Sequence, residues 1–209
     1  MYKFKNFVHP LFGSNTYLIY KENSDDCVII DPTDVVIRDL TRFLETENLN
    51  PKCIINTHGH YDHISGIDIL RNIYKIPLYI HELEEILLKN PQYNLSIYVG
   101  KSLIIKDVQY YVKENDEILG FKIIHTPGHT PGSICLKLEN MLIVGDLIFV
   151  DSIGRVDLPL SSEKDMKISL KKILSYVNEN TIILPGHGRI FKLEDLKRKN
   201  EILWNFISC

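Results

Sequence analysis

The sequence predicts an α/β protein with two β-sheets packed face to face and helices on both outer sides, a four-layer αββα sandwich. Two observations predict it. Short apolar runs of strand length, such as Cys53-Ile54-Ile55 and Leu142-Ile143-Val144, recur along the chain, and amphipathic stretches of helical period stand between many of them. Stacked sheets clad in helices would bury such runs.

Strands are expected near residues 3–8, 15–20 and 26–31, followed by an amphipathic helix over about 34–47. A strand at 53–56 leads into a histidine-rich loop and a helix over 63–74, then comes a strand at 77–80 with a helix after Glu82. Residues 89–107 are the least regular segment: a loop packed by its own Tyr93, Leu95 and Tyr98, or one that borders the site. Further strands are expected at about 109–112, 121–125, 133–138 and 141–145, then a helix at 162–178, a strand at 181–184 and a helix at 193–205.

The 209 residues are read as a single domain, with ample apolar content for a core and no visible linker. Net charge is −3 with both signs intermixed, so no basic surface for nucleic acid is announced. Lys197-Arg198-Lys199 reads as the solvated face of a final helix. No apolar stretch is long enough to cross a bilayer and Met1–Phe7 does not resemble a secretory signal, so a cytoplasmic protein without a membrane partner is expected. Cysteines at 27, 53, 135 and 209 show no paired spacing, and three lie in apolar strands. They read as buried thiols in a reducing compartment, with Cys209 of no consequence. The sequence carries no signal for an oligomeric state.

Chemistry concentrates in Thr57-His58-Gly59-His60-Tyr61-Asp62-His63, three imidazoles and a carboxylate directly after an apolar run. These are ligand types that zinc and other borderline first-row metals take. Asp62 also suits the N-cap of a helix starting near His63, and it can cap and ligate at once. Three later donors each end a strand-like run: His129 in Thr126-Pro127-Gly128-His129, Asp146 after Val144-Gly145, and His187 in Pro185-Gly186-His187-Gly188. Glycines beside them permit the tight turns that carry a side chain off a rigid sheet edge. So many donors exceed the needs of one tetrahedral ion, and two metals are the natural reading. Zinc comes first, with iron and manganese accepted by the same donors.

In this order, Asp31, the loop His58–His63, His129, Asp146 and His187 resemble the metallo-beta-lactamase superfamily over nearly the whole chain. The resemblance implies the four-layer metallo-beta-lactamase fold with metals at one edge. It also implies one metal on His58, His60 and His129, a second on Asp62, His63 and His187, and Asp146 bridging them. Asp62 and Asp146 are then the candidate catalytic carboxylates. Asp31, in Ile30-Asp31-Pro32, matches the family's early aspartate behind the metals, and reads equally as a strand-ending turn. His81, His9 and His125 read as structural.

Two cations sharing a water can lower its pKa from about 15.7 to near 7 and supply a hydroxide without a side-chain nucleophile. A thiolate leaves without full protonation, whereas an amide nitrogen needs an acid that the pattern does not supply. Thioester or activated-ester hydrolysis of a small-molecule substrate is therefore expected. Gly145-Asp146-Leu147-Ile148-Phe149, followed by Ser152-Ile153-Gly154-Arg155-Val156-Asp157, is similar to the glyoxalase II-like subgroup, a hydroxyacylglutathione hydrolase-like activity. Arg155 would meet a substrate carboxylate there, or pair internally with Asp157. Val156 departs from the subgroup's hydroxyl residue. Gly186-His187-Gly188 departs from its Gly-His-Glu-Tyr, and the chain ends some twenty residues after His187, which leaves no room for the subgroup's glutathione-gripping helical domain. The alternative is a persulfide dioxygenase-like oxidoreductase with a single iron on His58, His129 and Asp146. Diiron electron transfer, RNA processing, exported beta-lactamase activity and a metal-stabilised binding protein fit the pattern less well.

Overall fold

Residues 1–208 are described by a computed structural model, and Cys209 lies outside them. The described chain gathers into two units, Met1–Ile80 with Glu85–Tyr111, and His81–Glu84 with the residues from Val112 onward.

The first unit is built on a six-stranded sheet in the order β1-β2-β3-β4-β5-β6. β1 (Tyr2–Val8), β2 (Asn15–Lys21) and β3 (Asp26–Ile30) form an antiparallel meander, with Tyr17 opposite Ile30. β4 (Asn50–Ile55) and β5 (Leu78–His81) then join in parallel, and β6 (Tyr110–Val112) ends the sheet. Parallel neighbours require crossovers, and helices supply them. A 3₁₀ turn at Asp34–Val36 runs into α1 (Ile37–Thr46), whose Ile37, Leu40 and Leu44 recur at helical spacing on one buried face. They pack with Leu18, Ile29 and Ile54 of the sheet in one apolar cluster.

The expected helix over 63–74 is two helices, α2 (Tyr61–Ile64) and α3 (Ile67–Tyr74). Gly66 separates them because backbone passes against it: its N–H donates to Pro32 O at 2.9 Å, and a Cβ would sit 2.9 Å from the Thr33 carbonyl carbon. Asp62 therefore stands inside the first turn of α2, with His60 as N-cap, and the capping reading of Asp62 is corrected. After β5 come a 3₁₀ turn at Glu82–Glu84 and the single-turn α4 (Glu85–Leu88).

Segment 89–107 is organised by a buried asparagine. Asn94 Nδ2 donates to Leu87 O (3.0 Å) and Leu103 O (2.9 Å), and its Oδ1 accepts from Ser96 N (3.0 Å). Tyr98, expected to pack the loop, is 73% exposed, while Ile105 is buried. The backbone also borders the histidine loop, since Tyr61 N donates to Asn94 O at 2.7 Å.

The second unit repeats the plan with the order β12-β11-β10-β9-β8-β7. β7 (Glu117–Ile118), β8 (Phe121–His125), β9 (Ile134–Leu138) and β10 (Met141–Gly145) are antiparallel, β11 (Ile182–Pro185) is parallel to β10, and β12 (Phe191–Lys192) closes the edge. β7 and β12 have two residues each, too few for a period to register. α5 (Glu163–Leu174) starts where Ser162 Oγ accepts from Asp165 N at 3.2 Å, a serine N-cap. Its Met166, Leu170 and Ile173 pack with Ile124, Leu142 and Val144. It ends at Leu174, earlier than the expected 178, where the Ser175 N–H turns back to Lys172 O and Ile173 O.

The expected final helix is also divided, into α6 (Leu193–Lys199) and α7 (Glu201–Ser208). Asn200 makes the break. Its buried amide donates to Phe149 O (2.9 Å) and Ser152 O (2.8 Å), while Oδ1 accepts from Leu203 N (2.8 Å). Lys197, Arg198 and Lys199 occupy the last turn of α6, where the helix dipole favours cations.

Cys27, Cys53 and Cys135 are free and buried, and burial pushes each thiol up to about 12. No helix among the described residues is long and apolar enough to cross a membrane.

Candidate metal centre

Ligands of parallel α/β sheets gather beyond the carboxyl ends of the strands, and the candidate donors lie there. In the first unit, Asp31 follows β3, and His58, His60, Asp62 and His63 follow β4. His58, His60 and His63 are buried, as is Asp31. Asn56, at the end of β4, fixes the loop: its N–H donates to Tyr79 O (2.9 Å) and its Nδ2 to His63 O (2.7 Å). Ser14 Oγ donates to Asp62 O at 2.9 Å from the β1–β2 turn.

Asp31, His58 and His63 offer ligand-type atoms within 4.8 Å of one another. The hydrogen bonds separate their roles. Asp31 Oδ1 accepts from Thr57 N (2.7 Å), and Oδ2 accepts from Thr57 Oγ1 (2.6 Å) and faces His63 Nδ1 (3.1 Å). A carboxylate only accepts, so His63 carries its proton on Nδ1 and its lone pair on Nε2. Thr57 Oγ1 spends its proton on Asp31 and so accepts from His58 Nδ1 at 3.0 Å, which sets the same tautomer there. One carboxylate thus orients two imidazoles, the arrangement that fixes ring and tautomer behind a metal. Of the two readings of Asp31, the structure bears out the positioning one. Its backbone φ of +51° further marks it as a special position.

In the second unit, His129 lies in the β8–β9 loop, Asp146 follows β10 and His187 follows β11. His129 Nδ1 lies 3.0 Å from Arg155 O, a pure acceptor, so Nε2 again holds the lone pair. That Nε2 is 3.5 Å from Asp146 Oδ2, and His187 Nε2 is 3.4 Å from the same oxygen. His63 Nε2 and Asp62 Oδ2, in the first unit, are 3.6 Å apart. These separations exceed charge-assisted hydrogen bonds of about 2.7–2.9 Å. They match the edge of a tetrahedron of donors around one ion, about 3.4 Å for bonds of about 2.0–2.2 Å. Asp146 Oδ2 stands at that distance from two imidazoles at once.

The loop bearing His129 rests on a residue that sequence reasoning missed. Glu84 is fully buried, and its Oε1 accepts from Thr130 Oγ1 (2.7 Å) and Gly132 N (2.6 Å). Nearby, His81 and His125 stack with centroids 4.1 Å apart. Burial, with the charge of His125, pushes His81 down to about 4, and its Nδ1 accepts from Leu83 N. His125 Nε2 meets Pro131 O (2.9 Å), and His9 Nδ1 accepts from Leu11 N and Phe12 N (3.1 Å each). All three serve the local chain. Arg155 forms a fork with Asp157, at 2.8 and 2.9 Å, and holds that carboxyl below its usual range. The internal pairing is the one the structure contains.

Imidazoles with Nδ1 tied down and Nε2 forward, alongside carboxylates, are a donor set for zinc, iron or manganese, so these residues fit a metal. A model of the metallo-beta-lactamase superfamily matches residues 9–187. The chain belongs to that superfamily. It has the metallo-beta-lactamase fold, a mixed α/β fold with two sheets. A probable metallo-hydrolase of Methanocaldococcus jannaschii is 35% identical over 187 residues, 86% of this chain and 89% of that protein. Among solved structures, the BLEG-1 B3 metallo-beta-lactamase is similar at 31% identity and a TM-score of 0.87, covering 99% of this chain and 100% of the other. TTHA1623, in a di-iron-bound form, is similar at 30% identity and a TM-score of 0.85, covering 94% and 98%. Superfamily membership and the histidine and aspartate cluster together support a metal-dependent enzyme that uses divalent ions.

Proposed function

We propose that the protein is a dinuclear metal-dependent hydrolase, acting as one domain on a thioester or activated ester of a small-molecule substrate, in the manner of the glyoxalase II-like subgroup. One ion is held by His58, His60 and His129, the second by Asp62, His63 and His187, and Asp146 serves both. The observation that carries the reading is Asp146 Oδ2 at ligand-edge distance from His129 Nε2 and from His187 Nε2. When bound, two divalent ions supply an acidified water near neutral pH and a Lewis acid for a carbonyl.

The chain's own residues set the geometry for that chemistry. Asp31, through His63 and Thr57, holds two rings with Nε2 forward, and Arg155 O does the same for His129. Asp62 and Asp146 bring the negative charge that offsets the cations and that can take a proton from an attacking water. Zinc is the first assignment. The likeness to a protein solved in a di-iron-bound form supports iron as a second occupant.

Elemental analysis of protein purified without added metal tests the reading. About two ions per chain, with cleavage of a thioester panel that stops on chelation and returns on reloading, is the expected result. One iron per chain with oxygen uptake on a persulfide would replace it with the oxygenase reading on His58, His129 and Asp146.

Asp31→Asn gives a second expected outcome. The carboxamide puts an N–H or a weaker acceptor where Thr57 and His63 now donate. Metal affinity should fall roughly 10–100-fold, the usual cost of losing such a supporting group, as read by competition with a chromogenic chelator. Unchanged affinity would remove Asp31 from the role.

A further inference from the structure

Beside the histidine loop, the first unit contains a cavity of about 220 Å³ lined by Asp34, Tyr61, Ser65, Lys101, Ser102 and Leu103. Tyr61 directly precedes Asp62, so the cavity shares a wall with the loop that carries the donors. Asp34 and Lys101 line this one space with opposite charges, yet they make no ion pair with each other among the described residues. Both walls are anchored. Asp34 Oδ1 accepts from Val35 N (2.9 Å) and Ser65 Oγ (3.1 Å), and Asp34 N donates to Ser65 Oγ (3.0 Å). Opposite, Lys101 N donates to Ser96 O (2.9 Å) and Leu103 N to Ser96 Oγ (3.1 Å). Burial and the neighbouring Asp34 push the Tyr61 phenol up, which keeps it a hydrogen-bond donor into the space.

These charges decide the class of ligand. An anion alone would meet Lys101 but be repelled by Asp34, and a cation alone would suffer the reverse. A group that carries both charges satisfies both. The volume equals about seven waters at about 30 Å³ each, enough for a small head group and below the about 300–1,000 Å³ of a drug-sized site. We propose that this cavity binds the zwitterionic head of an α-amino acid, with the ammonium on Asp34, the carboxylate on Lys101 and Ser102, and Leu103 against the aliphatic carbon. Binding rests on the geometry of the first unit. Its meaning for catalysis rests on the hydrolase reading, where it names the substrate class: thioesters whose thiol portion ends in an α-amino acid.

The test uses a probe that cannot be hydrolysed. S-methyl-L-cysteine is titrated into the full chain and followed by protein-observed NMR, beside its N-acetyl and methyl-ester derivatives. Saturable binding that weakens about fivefold to tenfold when either charge is blocked, and again in Lys101→Met, is the expected result for one exposed charge pair. Asp34→Asn retains an acceptor for Val35 and Ser65 and should lose preference for the free amine alone. Equal response to the zwitterion and its blocked derivatives, or no saturation, would overturn the proposal. Thioester cleavage without amino-acid binding leaves the hydrolase standing and removes this site, while binding without cleavage does the reverse.

Discussion

Asp146→Ala should lose several kcal/mol of transition-state stabilisation, roughly three powers of ten in kcat, together with bound metal. The cause is local: one oxygen stands 3.5 Å from His129 Nε2 and 3.4 Å from His187 Nε2, so its removal deprives both imidazoles of a common anionic neighbour. Asp146→Asn separates charge from shape. It keeps an acceptor oxygen in the same turn and should still lower the metal content and most of the turnover. Elemental analysis beside thioester turnover reads both quantities. Wild-type metal content and rate in the two variants would sink the bridging role.

Gly154→Ala should be the most disruptive single-methyl change near the site. A Cβ at residue 154 would lie 1.8 Å from Asp146 O and 2.9 Å from its carbonyl carbon. Backbone would have to move, because no side-chain rotation relieves that contact. Gly154 N also donates to Leu147 O at 3.1 Å, and the adjoining Ile148–Ile153 bridge keeps the two segments together. Overpacking costs about 1–3 kcal/mol and more where backbone must yield. The expected loss is about 3 kcal/mol, a fall in Tm of about 6–12 °C for a chain of this length. Metal retention should fall with it, since the segment that moves carries Asp146. A melting temperature within a degree of wild type would show that the turn has slack the coordinates do not contain.

The candidate donors were legible because each lies at the end of an apolar run, where strand pattern and ligand chemistry coincide in a few adjacent residues. Their supports were not. Asp31 meets Thr57 and His63 across 26 and 32 residues, and Glu84 meets Thr130 and Gly132 across 46 and 48. Sequence spacing gives no sign of such partners, although a buried-strand Asn56 directly before the histidines was available as a signal. The helix interruptions at Gly66 and Asn200 escaped for the same reason. Each is set by carbonyls far along the chain, Pro32 in one case and Phe149 with Ser152 in the other, while the local apolar period runs on through the break. Residues 89–107 had no period at all, and their order comes from one asparagine satisfying backbone groups on two sides.

The shared use of Asp31 bears on thermodynamic coupling. His58 is oriented through Thr57 and His63 directly, and in the proposed assignment these two rings serve different ions. Whatever ordering of Asp31 accompanies the first binding event is already complete at the second. The second ion then meets a ring with less conformational freedom left to lose, and occupancy becomes positively cooperative without any change of fold. By reciprocity, stripping either ion loosens the other to the same degree.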